Sequence, residues 1–194
     1  MKRRPSLFPS SEQLKVELQR ERNRQRNRQM LGGAAAALVT AAAAAVLIVN
    51  LWLPVLRIYG SSMSPALEKG DIVLALRSDR AESGDIVAFY NGGQILVKRV
   101  IAEPGDWIDI EEDGTVWVNG QRLDEPYVKE KVLGEADIRL PCQVPEESIF
   151  VMGDHRATSV DSRSSAVGFV RWEQLIGRVI FRVWPVTKLG ITDR

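Results

Sequence analysis

The sequence predicts an all-β domain, a compact, barrel-like set of coiled sheets, behind one N-terminal transmembrane α-helix. Three observations predict it. Residues 31–56 form an uncharged run in which only Thr40 and Asn50 are clearly polar. Beyond Arg57, short β-branched runs alternate with Gly, Asp, Asn and Pro, the pattern of strands separated by turns. That second part shows no long amphipathic helical period and no regular repeat.

The bounds agree with this reading. A chain of 194 residues fits one modest domain plus a membrane segment. Residues 1–30 carry nine Lys/Arg against three Glu, a local net of +6; the whole chain nets +1, so the remainder carries −5. The one cysteine, Cys142, cannot form an internal disulfide and reads as a small, buried apolar residue. The one histidine, His155, argues against a histidine-built zinc site.

Taken in order, residues 1–9 read as a disordered start. Residues 10–30 are polar, with Arg20, Arg22, Arg24, Arg26 and Arg28 close together. Such a cluster could bind nucleic acid, but next to an apolar run it reads as a membrane flank. Residues 31–56 exceed the roughly 20 apolar residues that span a bilayer. Their alanine repeats favour helix, Val46-Leu-Ile-Val49 favours insertion, and Trp52 falls where an interfacial aromatic belongs. A cleavable signal peptide would have an apolar core of about 7–15 residues and a small-residue cleavage site. This run is longer and ends in Leu-Trp-Leu-Pro-Val-Leu, so a retained anchor in the lipid bilayer is expected. The positive-inside rule then places residues 1–30 in the cytoplasm and residues 57–194 outside it.

Strand signals follow at Asp71-Ile-Val-Leu-Ala-Leu, Asp85-Ile-Val-Ala-Phe-Tyr, Gln94-Ile-Leu-Val-Lys-Arg-Val-Ile, Thr115-Val-Trp-Val-Asn, Ser148-Ile-Phe-Val-Met and Arg178-Val-Ile-Phe-Arg-Val-Trp. Turn signals such as Asn91-Gly-Gly and Asn119-Gly separate them. Only residues 171–176 hint at a short helix.

Three stretches can carry chemistry. The first is Tyr59-Gly-Ser-Ser-Met-Ser-Pro-Ala-Leu67. Gly60 lets a ligand approach the backbone, and Pro65 stiffens the turn, so Ser61 or Ser62 would present a fixed hydroxyl. That hydroxyl is inert without a base. The second is Val97-Lys98-Arg99-Val100. By alternation Leu96, Lys98 and Val100 share one face and Val97, Arg99 and Ile101 the other; pattern alone does not choose between the two cations. A lysine held among aliphatics loses hydration, its pKa falls, and it can act as a base. Otherwise it snorkels to water. The third is the polar stretch from Met152 to Gly168, where Asp154, Arg156, Asp161 and Arg163 alternate in sign and are suited to internal pairing. Its His155 also permits a Ser62–His155–Asp161 triad.

The anchor, Ser62-Met-Ser-Pro-Ala-Leu67, Gly84-Asp-Ile-Val87, Lys98-Arg-Val-Ile-Ala-Glu-Pro-Gly-Asp106 and Gly153-Asp-His-Arg through Ser159-Val-Asp-Ser-Arg163, in that order, resemble bacterial type I signal peptidase, or leader peptidase. The resemblance covers about residues 30–185. It implies a Ser/Lys dyad, with Ser62 as nucleophile and Lys98 as general base. It further implies that Ser159 orients the lysine and that Asp161 and Arg163 form a supporting pair. Gly60, Met63, Leu67, Leu96 and Val97 would line a groove for an extended substrate with small residues at −1 and −3. No cofactor or metal is implied. The implied partners are preprotein signal peptides, the lipid bilayer and a nearby export translocon, at the outer face of a bacterial plasma membrane. Two positions depart from the family pattern. Gly60 stands where the Gram-negative branch has a serine that helps the oxyanion hole, as in the Gram-positive branch. His155 stands where asparagine is usual. Two other classes of function fit parts of the chain: an inactive β-module assisting surface assembly, and a self-cleaving Ser/Lys protein of the repressor type. The intact Ser62 and Lys98 argue against the first, and the apolar anchor against the second.

Overall fold

The computed structural model describes residues 11–192, so the expectation for residues 1–9 lies outside the described residues. Two compact units divide at Ile48/Val49. A single helix, α1, covers Ser11–Trp52, 42 residues or about 63 Å. It is long and apolar enough to cross a membrane. Helix is not confined to the apolar run. It starts about twenty residues earlier, because Leu, Arg, Gln and Glu are good helix formers and no proline interrupts them between Ser11 and Trp52. Thr40, polar in an apolar stretch, donates its hydroxyl to the Ala36 carbonyl at 2.9 Å.

At its other end α1 stops four residues short of the expected boundary. Val55–Arg57 is instead a strand, β1. Pro54 has no N–H with which to continue a helix, and Val55, Leu56 and Arg57 pair with Leu74, Val73 and Ile72. Apolar composition alone does not separate a membrane helix from a strand that begins inside the same run.

All the larger strand signals fold as read. They give β2 (Ile72–Leu76), β3 (Ile86–Asn91), β4 (Gln94–Ala102), β6 (Val116–Val118), β9 (Ser148–Met152) and β11 (Leu175–Trp184). The structure adds β5 (Trp107–Ile110) and the two-residue strands β7 (Gln121–Arg122), β8 (Cys142–Gln143), β10 (Val170–Arg171) and β12 (Gly190–Ile191). The helix hinted at over residues 171–176 is one 3-10 turn, Trp172–Gln174, running directly into β11.

Two antiparallel sheets result. The larger runs β1-β2-β11-β3-β4-β9-β10, with β12 on β11; the smaller runs β7-β6-β5-β8. Strand β11 pairs with both β2 and β3 and shifts register beside both. Such irregularities bend and coil a sheet. One centres on Gly177 (φ +159°), where a Cβ would collide with the Leu76 carbonyl. Three apolar clusters fill the interior. One, around Ile58, Met63, Leu67, Val73 and Val179, lies under the serine turn. The second, around Phe89, Val100 and Val151, packs between β3, β4 and β9. The third, with Ile101, Ile108, Phe150 and Met152, joins the two sheets, and the half-buried Cys142 rests on it.

Candidate active site

The serine turn is held from beneath. Met63 and Leu67 are buried in the core, Ser64 N–H donates to the Ser61 carbonyl at 3.0 Å, and Leu67 N–H donates to the Met63 carbonyl at 2.8 Å. Fixing those two apolar anchors leaves Ser62 half-buried at the turn's edge, while Ser61 faces solvent. Of the two serines, Ser62 therefore meets the interior.

Strand β4 brings Lys98 to it. Nζ of Lys98 lies 2.8 Å from Ser62 Oγ and 2.9 Å from Ser159 Oγ. Lys98 is only 3% exposed. Loss of hydration pulls its pKa down from 10.5 to about 8; Arg163 lowers it further, while Asp161 and Asp154 oppose the fall. The neighbouring cation has a different fate. Arg99 binds Asp154 through two contacts, Nε–Oδ1 at 2.9 Å and Nη2–Oδ2 at 2.8 Å, donates to the Gly84 carbonyl at 2.8 Å, and stacks 3.9 Å from the ring centre of Tyr127. The pair Lys98/Arg99, undecided by alternation, is thus resolved by which partners each finds.

The polar loop after β9 supplies the third side. Gly153 lies so close that a Cβ there would collide with Ser159 Oγ and the Ser62 carbonyl, so glycine is what admits both. Gly153 N–H donates to Asp161 Oδ2 at 3.0 Å, and Asp161 is bound by Arg163 at 2.8 Å through both Nε and Nη2. Burial pushes the Asp161 carboxyl up, but Arg163, the Gly153 N–H and Ser159 together outweigh it and leave the group below its ordinary range. Arg163 also donates to the carbonyls of Leu133 at 2.5 Å and Arg156 at 3.0 Å. Ser162 accepts from Val151 N–H at 2.9 Å. Every one of these bonds fixes the path that carries Ser159 to the amine.

Of the charges expected to pair within this loop, only Asp161 and Arg163 do. Asp154 reaches back to Arg99 of β4, and Arg156 pairs with the buried Glu125, which also meets Lys131 at 3.5 Å. Glu125 and Tyr127 gave no sign in the sequence, since nothing local connects them to residues about 30 positions away. The triad arrangement is not formed. The His155 ring is exposed, its Nδ1 2.5 Å from Thr158 Oγ1, and Asp161 belongs to Arg163 and Gly153.

A cleft of about 720 Å³ opens from Ser62 and Lys98 and is lined by Gly60, Met63, Leu96 and Val97, with Leu56, Ile58 and Ile95 beside them. Leu67 is a correction to the expected lining: it has 0% exposure and packs into the core below the turn, because its backbone closes the helical turn begun at Met63. Gly60 leaves open space; a Cβ there would meet only Ser62 N, at 4.0 Å. Among the described residues, Ser62 N–H donates to no protein group. No three of the described His, Cys, Asp and Glu residues come together as a metal-ligand set.

Comparison with known proteins gives one consistent picture. The family described as signal peptidase, peptidase S26, matches residues 31–184. Signal peptidase I of Bacillus caldolyticus is 39% identical over 142 residues, 65% of this chain and 76% of that protein. Signal peptidase IB of Staphylococcus aureus is 34% identical over 151 residues, 68% of this chain and 78% of that protein. Thylakoidal processing peptidase 1, chloroplastic, of Arabidopsis thaliana is 34% identical over 149 residues, which span 68% of this chain but 42% of the plant protein. A crystal structure of a signal peptidase I from Enterococcus faecalis V583 matches 51% of this chain and 96% of that one, with 30% identity and a TM-score of 0.44.

Proposed function

The chain belongs to the signal peptidase family of endopeptidases, peptidase S26, and we propose that it works through Ser62 as nucleophile and Lys98 as general base. The observation that carries this reading is the buried Lys98 amine, 2.8 Å from Ser62 Oγ with its pKa brought to about 8. At pH 7 about a tenth of such an amine is neutral, against well under a thousandth for an ordinary lysine. Neutral Nζ takes the Ser62 proton as Oγ attacks the scissile carbonyl. The resulting ammonium then protonates the leaving amine. Ser159 Oγ, 2.9 Å from Nζ, keeps the amine aimed at Ser62 through both transfers. The Ser62 N–H donates to the oxyanion, a contact worth about 3 kcal/mol when such a donor is removed. Gly60 adds no hydroxyl to it. A water deprotonated by Lys98 clears the acyl-enzyme.

The substrate is the signal peptide of an exported preprotein. Its extended chain lies along residues 94–98 of β4, whose side away from β3 is not paired until Arg99 meets Met152 of β9. Small residues at −1 and −3 would fit against Met63, Leu96 and Val97. The helix holds the enzyme in a bilayer, and the arginines at 20–28 support an N-terminus in the cytoplasm and residues 57–194 outside a bacterial plasma membrane; a nearby export translocon rests on the family resemblance. Protease added to intact spheroplasts should digest the β unit and spare an N-terminal tag; the reverse pattern overturns the orientation.

The direct test is cleavage of one preprotein by the detergent-solubilised chain. Ser62→Ala and Lys98→Ala should each lower kcat on the order of 10³-fold or more. Residual cleavage near wild type in either variant refutes the dyad.

A further inference from the structure

Two clefts meet at the serine turn. Ser62 and Met63 line the apolar one described above. The next two residues, Ser64 and Pro65, line a second cleft of about 410 Å³, together with Glu68, Glu130, His155 and Ala157. We propose that this second cleft holds the first residues of the released polypeptide, the segment after the scissile bond, and that His155 contacts it. The proposal rests on Ser62 being the nucleophile.

The geometry gives the direction. With the scissile carbonyl at Ser62, the residues before it lie in the apolar cleft beside Leu96 and Val97. An extended chain advances about 3.3 Å per residue. The next residues must therefore step over the Ser62–Pro65 turn, and its far side is the wall of the second cleft. The two walls are tied together: His155 N–H donates to the carbonyl of Ser62 itself, at 3.0 Å. Chemistry matches the division. The first cleft is walled by aliphatics, which suits a signal sequence, whereas the second is polar, which suits the hydrated start of a mature chain.

The loop is also built to show these particular residues. Asp154 and Arg156 are buried and engaged by Arg99 and Glu125, while His155 and Ala157 between and after them are exposed. The inward pairs fix the backbone, so the outward side chains are presented on a rigid rim. The contact between His155 Nδ1 and Thr158 Oγ1 orients the ring and leaves Nε2 without a hydrogen-bond partner among the described residues. Glu68 is already paired with Lys188 at 2.8 Å, and Lys129 stands next to Glu130, so the cleft offers hydrogen bonds rather than a strong net charge. The ligand class is a short, extended, polar peptide.

The test uses two peptides with the same signal-side sequence, ending one or four residues after the scissile bond, cleaved by the full detergent-solubilised chain. Binding energy from the longer leaving segment should raise kcat/KM about tenfold. His155→Ala should cut that long-to-short ratio at least threefold, and so should Ala157→Trp, which fills the cleft from an exposed position. A wild-type ratio near one, or a ratio kept within threefold of wild type by either variant, overturns the subsite. Failure of wild type to cleave either peptide overturns the Ser62 reading and the subsite with it. Cleavage of the short peptide that is lost in Ser62→Ala keeps the first reading standing while the ratio judges the second.

Discussion

Lys98 is where local physics and chemistry meet. An unfolded lysine titrates near 10.5 and this one, buried, near 8. Between those values the unfolded chain binds more protons than the folded one, so stability rises with pH from about 8 to about 10.5. Below pH 8 the buried ammonium carries its full cost, roughly 3 kcal/mol for a shift of this size. Activity should therefore climb as pH passes about 8 and level off roughly one unit above it, whereas stability goes on rising to about 10.5. Urea unfolding of wild type from pH 7 to 10 should show the rise, and Lys98→Met should flatten it while abolishing cleavage. A wild-type stability that stays flat over that range would mean the amine is solvated. Ser159 offers a finer check. Replacing it by alanine leaves Nζ with Ser62 alone, so kcat should fall about 10–100-fold with little change in KM, the mark of a group that positions the base. The boxes around Ser62, Lys98 and Ser159 have a local form, and the family resemblance singled out Lys98 from them. Alternation alone did not, since either face of β4 held one base among aliphatics.

At the scale of elements, β4, β9 and the loop behind β9 are tied to one another, and outward to Gly84, Glu125 and Leu133, by buried polar contacts. Arg99 on β4 and Asp154 after β9 join strands 55 residues apart in sequence. Removing one member of such a buried pair strands the other charge and costs about 3–5 kcal/mol. Asp154→Ala should lose stability of that order in thermal or denaturant melts. It should also lower kcat, because Asp154 and the Gly153 beneath Ser159 are adjacent. If the variant melts like wild type, the pair is not holding the loop. Alternating charge in residues 154–163 announced internal pairing, yet only Asp161 and Arg163 pair locally. Partners such as Glu125 and Tyr127 were silent, since a side chain that meets its mate through a fold has no spacing to betray it. Strands behaved likewise. β2, β3, β4, β9 and β11 bury long enough apolar runs to be read, whereas β7, β8, β10 and β12, of two residues each, are strands only because a neighbour pairs with them.

For the whole molecule, the boundary between helix and sheet decides how it can be divided. The sequence places that boundary after residue 56, and a protein beginning at Arg57 would lose most of β1. The Ala75 N–H donates to the Pro54 carbonyl at 3.0 Å and the Arg77 N–H to the Trp52 carbonyl at 3.0 Å, so β2 needs residues 52–57 along its edge. A protein starting at Trp52 should therefore fold and cleave peptides, and its thermal midpoint should exceed that of one starting at Arg57 by several degrees. Equal midpoints would show that β1 contributes nothing. By itself the sequence determined what depends on neighbours in the chain. An uncharged run of membrane length, alternation within strands, glycine and proline at turns, and the boxes around Ser62, Lys98 and Ser159 are all local properties. Tertiary structure alone decided which of two adjacent buried cations meets a carboxylate and which meets hydroxyls, which carboxylate each arginine meets, and that Leu67 is core rather than cleft wall. It also decided where the anchor's apolar run turns into a strand. The reason is the same in each case: desolvation and pairing are set by what lies within a few ångströms in space, and chain order does not encode that distance.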